Sequence, residues 1–379
     1  MTVQPSLDIQ EAEFEYPNFL SDQLITYLGN KRSLLKSIDG IVQSVRVKTG
    51  WRKLRSADLF SGSGAVTRLL KQHSDYIVAN DFEAYAACIS RAYLTNGETV
   101  DWPRLNGRVM ELNRMVEHGD CPPGFIAEMY APQSDTEIKL GERVFYTAEN
   151  ARRIDGYAQL IRLEDDDLQD LLMASLLSSA SIHANTGGVF KGFYKDRDTG
   201  LGRFGGSGEN ALSRIKAPVK LKVPVLSRFS ARSSVFQLDA VRLPELMEPV
   251  DLVYLDPPYN QHPYGSNYFM LNLLVDYQRP ADVSSVSGIP VSWQRSDYNK
   301  KQSALSALTD LVSRLQTRFV LLSFSDDGFL HPDDLTELFN GLGKCEVFDN
   351  DYNTYRASRN LSGRSLTVTE HLFLVDLGS

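Results

Sequence analysis

The chain has 379 residues, of which 42% are apolar and 23% charged, the balance of a globular protein rather than a disordered or fibrous one. That length predicts two domains, or one α/β domain carrying a large insertion. No apolar stretch approaches the roughly 18 residues of a membrane helix. The first 20 residues lack the basic-then-apolar order of a secretion signal. Three scattered cysteines without a Cys-x-x-Cys pair argue against a disulfide framework or a zinc site, so a reducing, cytoplasmic setting is expected.

Residues 1–20 read as an extended or poorly ordered lead-in. Leu34, Leu35, Ile38, Ile41 and Val42 then share one face and predict a helix starting near Lys31. Residues 57–60 predict a short buried strand, broken by Ser61-Gly62-Ser63-Gly64, after which residues 65–70 resume helical periodicity. A second strand over 76–79 ends at Asn80-Asp81. Strand, glycine turn, helix, strand is the opening of a doubly wound α/β domain.

The pattern changes over residues 97–232, where short polar stretches surround one strong helix at about 165–182. Its acidic start, Glu164-Asp165-Asp166-Asp167, reads as carboxylates at the positive end of a helix dipole in preference to a metal site. The net charge of −8 is unpromising for a nucleic-acid partner, but its distribution is uneven. Residues 191–232 hold ten Lys and Arg against three acids, +7 in 42 residues, interleaved with Phe190, Phe193, Tyr194 and Phe204. This is either a solvated face or a phosphate-contacting segment, with Lys191, Tyr194, Lys195, Arg203, Lys216 and Lys220 as its candidate contacts. Strands resume at 234–238, 252–255 and 319–324, and 344–348 with 371–375 predict a final antiparallel pair. The expected organisation is therefore one α/β domain formed by 21–96 and 233–379, with 97–232 inserted between its second and third strands.

Candidate chemistry gathers at the predicted strand ends. Asp256-Pro257-Pro258-Tyr259 follows the apolar run 252–255. Pro257 has no N–H to donate and Pro258 biases it to an extended shape, so the loop offers acceptors only: the Asp256 carboxylate and the Pro257 carbonyl. An exocyclic amino group has two hydrogens to give to such a pair, and the Tyr259 ring is a face on which an unstacked base can lie. Gly62 and Gly64 let the backbone approach a ligand closely ahead of a helix N-terminus, although the third glycine of the dinucleotide fingerprint is missing. Asp81 ends the next strand where an acid typically takes ribose hydroxyls, and Asp239 closes another, as either a turn former or an acceptor for an adenine amino group.

In this order the motifs resemble the alpha-class DNA adenine-N6 methyltransferases, which use S-adenosylmethionine. Tyr27-Leu28-Gly29-Asn30-Lys31-Arg32 is similar to the family's N-terminal motif, which implies donor binding by Tyr27, Asn30 and Lys31. Asp58-Leu59-Phe60-Ser61-Gly62-Ser63-Gly64 resembles its glycine motif, Asn80-Asp81-Phe82 its ribose-binding acid, and Asp256 to Tyr259 its catalytic loop. Residues 321–325 and 369–374 also look like family segments, whereas 97–232 match nothing in it. The resemblance implies a Rossmann-like, mostly parallel sheet with an antiparallel last strand, and makes the insertion the target-recognition domain. It further implies S-adenosylmethionine without a metal, duplex DNA as substrate and no membrane. The chain would be either a solitary methylase or the partner of a restriction endonuclease acting at the same site.

The expected reaction needs no covalent intermediate. Hydrogen bonds from adenine N6 to Asp256 and Pro257 favour a pyramidal nitrogen that attacks an in-line methyl, with positioning and electrostatics supplying most of the acceleration. A base inside a duplex cannot reach such a pocket, so the adenine is expected to be flipped out and stacked on Tyr259, with Tyr264 and Tyr268 as either further stacking partners or packing. His262 reads as an ordinary loop residue. Cytosine N4 or an RNA adenine would suit the same loop, and an aspartate before Pro-Pro leans toward adenine by resemblance. A non-catalytic DNA-binding subunit is the alternative outside the enzyme class.

Overall fold

The computed structural model describes residues 15–50, 52–119, 121–206, 211–261, 263–293, 295–326, 328–353 and 367–378. The chain starts with a short helix α1 (Pro17–Ser21), a 3-10 turn at Lys31–Leu34 and α2 (Leu35–Lys48). Then come β1 (Leu54–Asp58), α3 (Ala65–His73), β2 (Ser74–Asn80) and α4 (Ala84–Leu94). The insertion is helical: α5 (Trp102–His118), α6 (Phe125–Tyr130), α7 (Ala148–Ile161), α8 (Asp166–Ile182) and α9 (Leu212–Lys216). The sheet resumes with β3 (Arg232–Phe236) and β4 (Val250–Leu255), followed by α10 (Tyr264–Asn267), α11 (Phe269–Asp276) and α12 (Ala304–Arg314). It ends with β5 (Thr317–Ser325), α13 (Pro332–Leu342), β6 (Lys344–Asn353) and β7 (Thr367–Asp376).

Seven strands make one sheet in the order β3-β2-β1-β4-β5-β7-β6. The first five run parallel, and β7 lies antiparallel to both β5 and β6. This is the expected α/β class with its inverted last strand. The chain winds away from β1 in one direction and from β4 in the other, so the switch point of the sheet falls between them, with Asp58 opposite Tyr254. In open α/β sheets ligands bind beyond the carboxyl ends of the strands at that point.

Side chains alternate between two buried faces, as a pleated sheet covered on both sides requires. Val253, Leu255, Val320, Leu322, Phe373 and Val375 pack on α12 and α13, while Leu252, Tyr254, Phe319, Leu321, Leu372 and Leu374 pack on α2 and α3. A third cluster joins α4 and α11 to the insertion through Tyr85, Ile89, Phe269 and Leu273 with Tyr157, Leu171, Leu172 and Leu176. The insertion therefore shares its core with the sheet domain.

Several local expectations are corrected. The lead-in is tied down at its end: Phe19 is buried in α1, and the buried Arg68 guanidinium donates to the carbonyls of Phe19 and Asp22. The third strand lies two residues earlier than predicted, so Arg232, the last residue of the basic segment, belongs to β3, where it pairs with Glu248 at 2.8 Å. Among the described residues the insertion holds five α-helices where periodicity had picked out one. Its acidic run does start α8, and Arg104 and Arg108 of α5 pair with Asp165, Asp167 and Glu164. No helix among the described residues is long and apolar enough to cross a membrane.

Candidate active site

The end of β1 and the end of β2 are stitched together before any ligand is considered. Asn80 donates from Nδ2 to the Leu59 and Leu238 carbonyls, each at 3.1 Å, and its Oδ1 accepts from Leu238 N–H at 3.1 Å. That fixes Asp81, the next residue, against the glycine turn: its Oδ2 accepts from Gly62 N–H at 2.7 Å and its Oδ1 from Glu83 N–H at 2.9 Å. The turn itself needs glycine. Gly62 has φ +49°, and a Cβ there would lie 2.7 Å from the Tyr27 hydroxyl oxygen.

Beyond these strand ends lies a cleft open to solvent, concave in the way small-molecule sites are. Tyr27, Phe60, Asp81, Phe82, Asp239, Asp256 and Tyr264 line it, together with Glu83, Leu238, Ser296 and Asn299. An adjoining recess under the glycine turn takes in Asn30, Lys31, Asp58, Ser61 and Ser63 and shares Tyr27, Phe60 and Asp256. Asp239 both caps the following 3-10 turn, accepting from Val241 N–H at 3.2 Å, and faces the cleft. Gly64 lines neither cavity and acts from the left-handed N-cap of α3. Tyr27 stacks on Tyr264 with ring centroids 5.1 Å apart, forming an aromatic wall.

Asp256 stands at the junction of the two cavities. Its Oδ1 lies 3.0 Å from Lys31 Nζ, and the same ammonium is 2.9 Å from Glu370 Oε1. Burial works against a charged Lys31, but Asp256, Tyr259 and Glu370 outweigh it and hold its pKa well above the ordinary lysine value. Burial pushes the Asp256 carboxyl up to about 7, with Lys31 opposing and Glu370 adding to the rise. Burial likewise raises Asp58 to about 7, Asp81 to about 6 and Glu83 to about 8. A cavity ringed by desolvated carboxylates favours a cationic or hydrogen-donating ligand. Tyr259 sits over the far side of the loop: its carbonyl accepts from Phe329 N–H at 2.8 Å, and its ring centroid is 5.5 Å from that of Phe324 and from Lys31 Nζ. With Pro257, Tyr298, Leu308 and Phe324 it walls a small apolar recess.

The candidate donor residues and the Asp256 loop are thus brought together; the basic segment stands apart from them. Lys191, Lys195, Lys216 and Lys220 are exposed, with Lys220 3.5 Å from Glu117 and Arg203 3.8 Å from Asp196. Tyr194 lies half-buried in a concave surface shared with Lys195, Arg197 and Arg203. Just ahead of this segment, Phe190 N–H donates to the Asn267 carbonyl at 2.7 Å and its ring lies 6.5 Å from that of Phe269. Tyr268 is corrected from its assignment as a DNA contact: it is fully buried, stacked on Tyr27, and its hydroxyl accepts from Leu28 N–H at 2.7 Å. His262 and Glu209 lie outside the described residues.

Sequence reasoning missed Glu83, whose carboxylate takes Asn272 Nδ2 at 2.5 Å and ties α11 to the cleft. It also quoted the segment around Glu370 without giving the residue a role. The only signal was an acid two positions ahead of the apolar run 372–375.

The sequence profile of the D12 class N6 adenine-specific DNA methyltransferases matches residues 27–302. Among curated proteins, the chain is 28% identical to the Type II methyltransferase M.CviAII of Paramecium bursaria Chlorella virus 1, over 93% of this chain and 98% of that protein. It is 26% identical to the Type II methyltransferase M.NlaIII of Neisseria lactamica, over 93% and 99%. With the Type II methyltransferase M.FokI of Planomicrobium okeanokoites it shares 24% identity over 92% of this chain and 52% of that longer protein.

Proposed function

Because the chain belongs to the D12 class N6 adenine-specific DNA methyltransferase family, we propose that it methylates a flipped-out adenine in duplex DNA, using S-adenosylmethionine, as the modification enzyme of a restriction–modification system. The observation that carries the reading is the Asp256 carboxylate at the end of β4, where the open cleft and the recess under the glycine turn meet. Restriction–modification rests on the relatives, which are named as type II methyltransferases.

The residues present suit S-adenosylmethionine. The glycine turn brings the backbone against the cleft-lining Tyr27 ring, where a Cβ at Gly62 would lie 2.7 Å from its hydroxyl oxygen, and Asp81 stands at the strand end with lone pairs left over for hydroxyl groups. Phe60 and Phe82 offer apolar walls, and Asp239 an acceptor for an amino group. The donor, when bound, supplies an electrophilic methyl on a cationic sulfur.

Everything else falls to the protein. Lys31 occupies Asp256 Oδ1, leaving Oδ2 to accept one N6 hydrogen, while the Pro257 carbonyl accepts the other. The two acceptors localise the nitrogen lone pair for attack on carbon. As the C–N bond forms and the C–S bond breaks, the nitrogen becomes cationic and sheds a proton. A carboxylate beside it stabilises that charge more in the transition state than in the ground state, and can take the proton. The Tyr259 ring gives the extruded base a stacking face, and residues 97–232 carry target recognition.

Tritiated methyl transfer from S-adenosylmethionine to duplex DNA, followed by nucleoside analysis, tests the assignment, with N6-methyl-2′-deoxyadenosine as the expected label. Label in cytosine, or none, would overturn it. The exposed lysines of the basic segment are expected to neutralise phosphates. Lys195→Glu with Lys216→Glu should lower DNA affinity at least tenfold near physiological salt and cut the slope of log K against log salt by roughly two. A slope equal to that of the unaltered protein would remove the segment from the interface.

A further inference from the structure

We propose that Glu370 is a positioning residue for methyl transfer: together with Ser323 it anchors the Lys31 ammonium from behind, and the anchored ammonium fixes where the Asp256 carboxylate points. The proposal rests on the reading of Asp256 as the acceptor of an amino hydrogen.

Glu370 lies on β7 and is 0% exposed, on the sheet face otherwise occupied there by Leu372 and Leu374. Strand pairing asks nothing of a carboxylate at that position, and a buried acid is costly without a charged partner. Its partners are Lys31 at 2.9 Å and the Ser323 hydroxyl, which donates to Oε1 at 2.6 Å from the neighbouring strand β5. Lys31 is 4% exposed and reaches forward to Asp256 at 3.0 Å. A lysine has a flexible four-carbon stem and a point charge, so Asp256 alone would leave the ammonium free to swing. Glu370 removes that freedom. Of the two carboxylates Asp256 is the one open to the cleft, with its side chain 18% exposed against 1% for Glu370.

The charge that Glu370 places behind Lys31 also has a consequence for pH. Lys31, Glu370, Asp58, Asp81, Tyr254 and Tyr264 are the charged and titratable groups facing Asp256. Lys31 lowers its pKa, whereas burial, Glu370 and Asp81 raise it to about 7. The acceptor must be a carboxylate, so the transfer rate of the unaltered protein should climb as pH rises through about 7 and then level. Removing the negative charge at 370 takes away a raising influence, so the climb should move to lower pH.

The test is single-turnover methyl transfer to duplex DNA from about pH 5.5 to 9. Glu370→Gln is expected to shift the ascending limb down by roughly one unit and to lower the plateau roughly ten- to hundredfold through lost positioning. Glu370→Asp keeps the charge but loses reach, so its limb stays in place and its plateau is intermediate. A Glu370→Gln limb at the original pH, whether the plateau holds or falls, would overturn the proposal. If Glu370→Gln does not fold, Glu370→Asp decides, since an unchanged plateau there also overturns it. Asp256→Ala run alongside separates the two readings, because full turnover in that variant would defeat the acceptor role itself.

Discussion

Replacing Asp256 with alanine should lower the single-turnover transfer rate by roughly 10³-fold, the size of effect seen when one well-placed partner of a developing charge is removed, while leaving affinity for duplex DNA nearly unchanged. The side chain has one job at the strand end, and no phosphate contact is asked of it. The fold should survive, because Lys31 keeps Glu370 at 2.9 Å and is not left as a lone buried cation. Asp256→Asn retains an acceptor oxygen without the charge and should fall between the two. Rapid-quench transfer measured beside a DNA-binding titration checks both halves. Turnover near the original rate in the alanine variant would mean that another group accepts the amino hydrogen.

Lys31→Met should be the most damaging change to stability, by about 3–5 kcal/mol near neutral pH, because it leaves two buried carboxylates without their shared cation. The pH dependence has a definite sign. Asp256 already sits up at about 7 with Lys31 present. Without the ammonium the Asp256 carboxyl must be raised further above the ordinary value of about 4. The folded variant then binds more protons than its unfolded chain, so its stability falls as pH rises from about 4 through neutrality. Urea unfolding at about pH 5.5 and pH 8 should therefore show a smaller deficit at the lower pH. An equal deficit at both would indicate loss of packing alone, with no electrostatic role for Lys31.

Much of this site could be read from the chain because its parts are local. A strand, two glycines with fixed spacing and an acid at the next strand end need no knowledge of the remaining fold, and the structure gathers Tyr27, Lys31, Phe60, Gly62, Asp81, Asp239 and Asp256 around joined cavities. The Lys31 link to Asp256 and Glu370 was invisible because it depends on β7 inserting antiparallel between β5 and β6, a pairing across the whole chain. Tyr268 misled for a similar reason. It stands in the same tyrosine-rich stretch as Tyr264, yet one turn of α10 sends Tyr264 to the cleft wall and Tyr268 into the core. The insertion hid most of its helices because α5 buries a narrow stripe, Leu105, Val109, Leu112 and Val116, between charged residues that pair with neighbours, and α7 buries Asn150, Asp155 and Gly156 beside its apolar residues, which blurs its periodicity. Phe19, in a lead-in read as extended or poorly ordered, is held by Arg68 from a helix nearly fifty residues further on, which no local pattern announces.

The shared cluster of α4, α8 and α11 bears on how new DNA specificities could be made from this scaffold. A chimera that exchanged everything from 97 to 232 would strip the covering from Tyr85, Ile89 and Phe269 and expose an oily flank beside the donor cleft. Viable hybrids must keep α7 and α8 as native foundation. If the insertion is the recognition region, as proposed, retargeting is then confined to shorter outer stretches, the one after α8 among them, where Phe190 N–H donates to the Asn267 carbonyl at the end of α10.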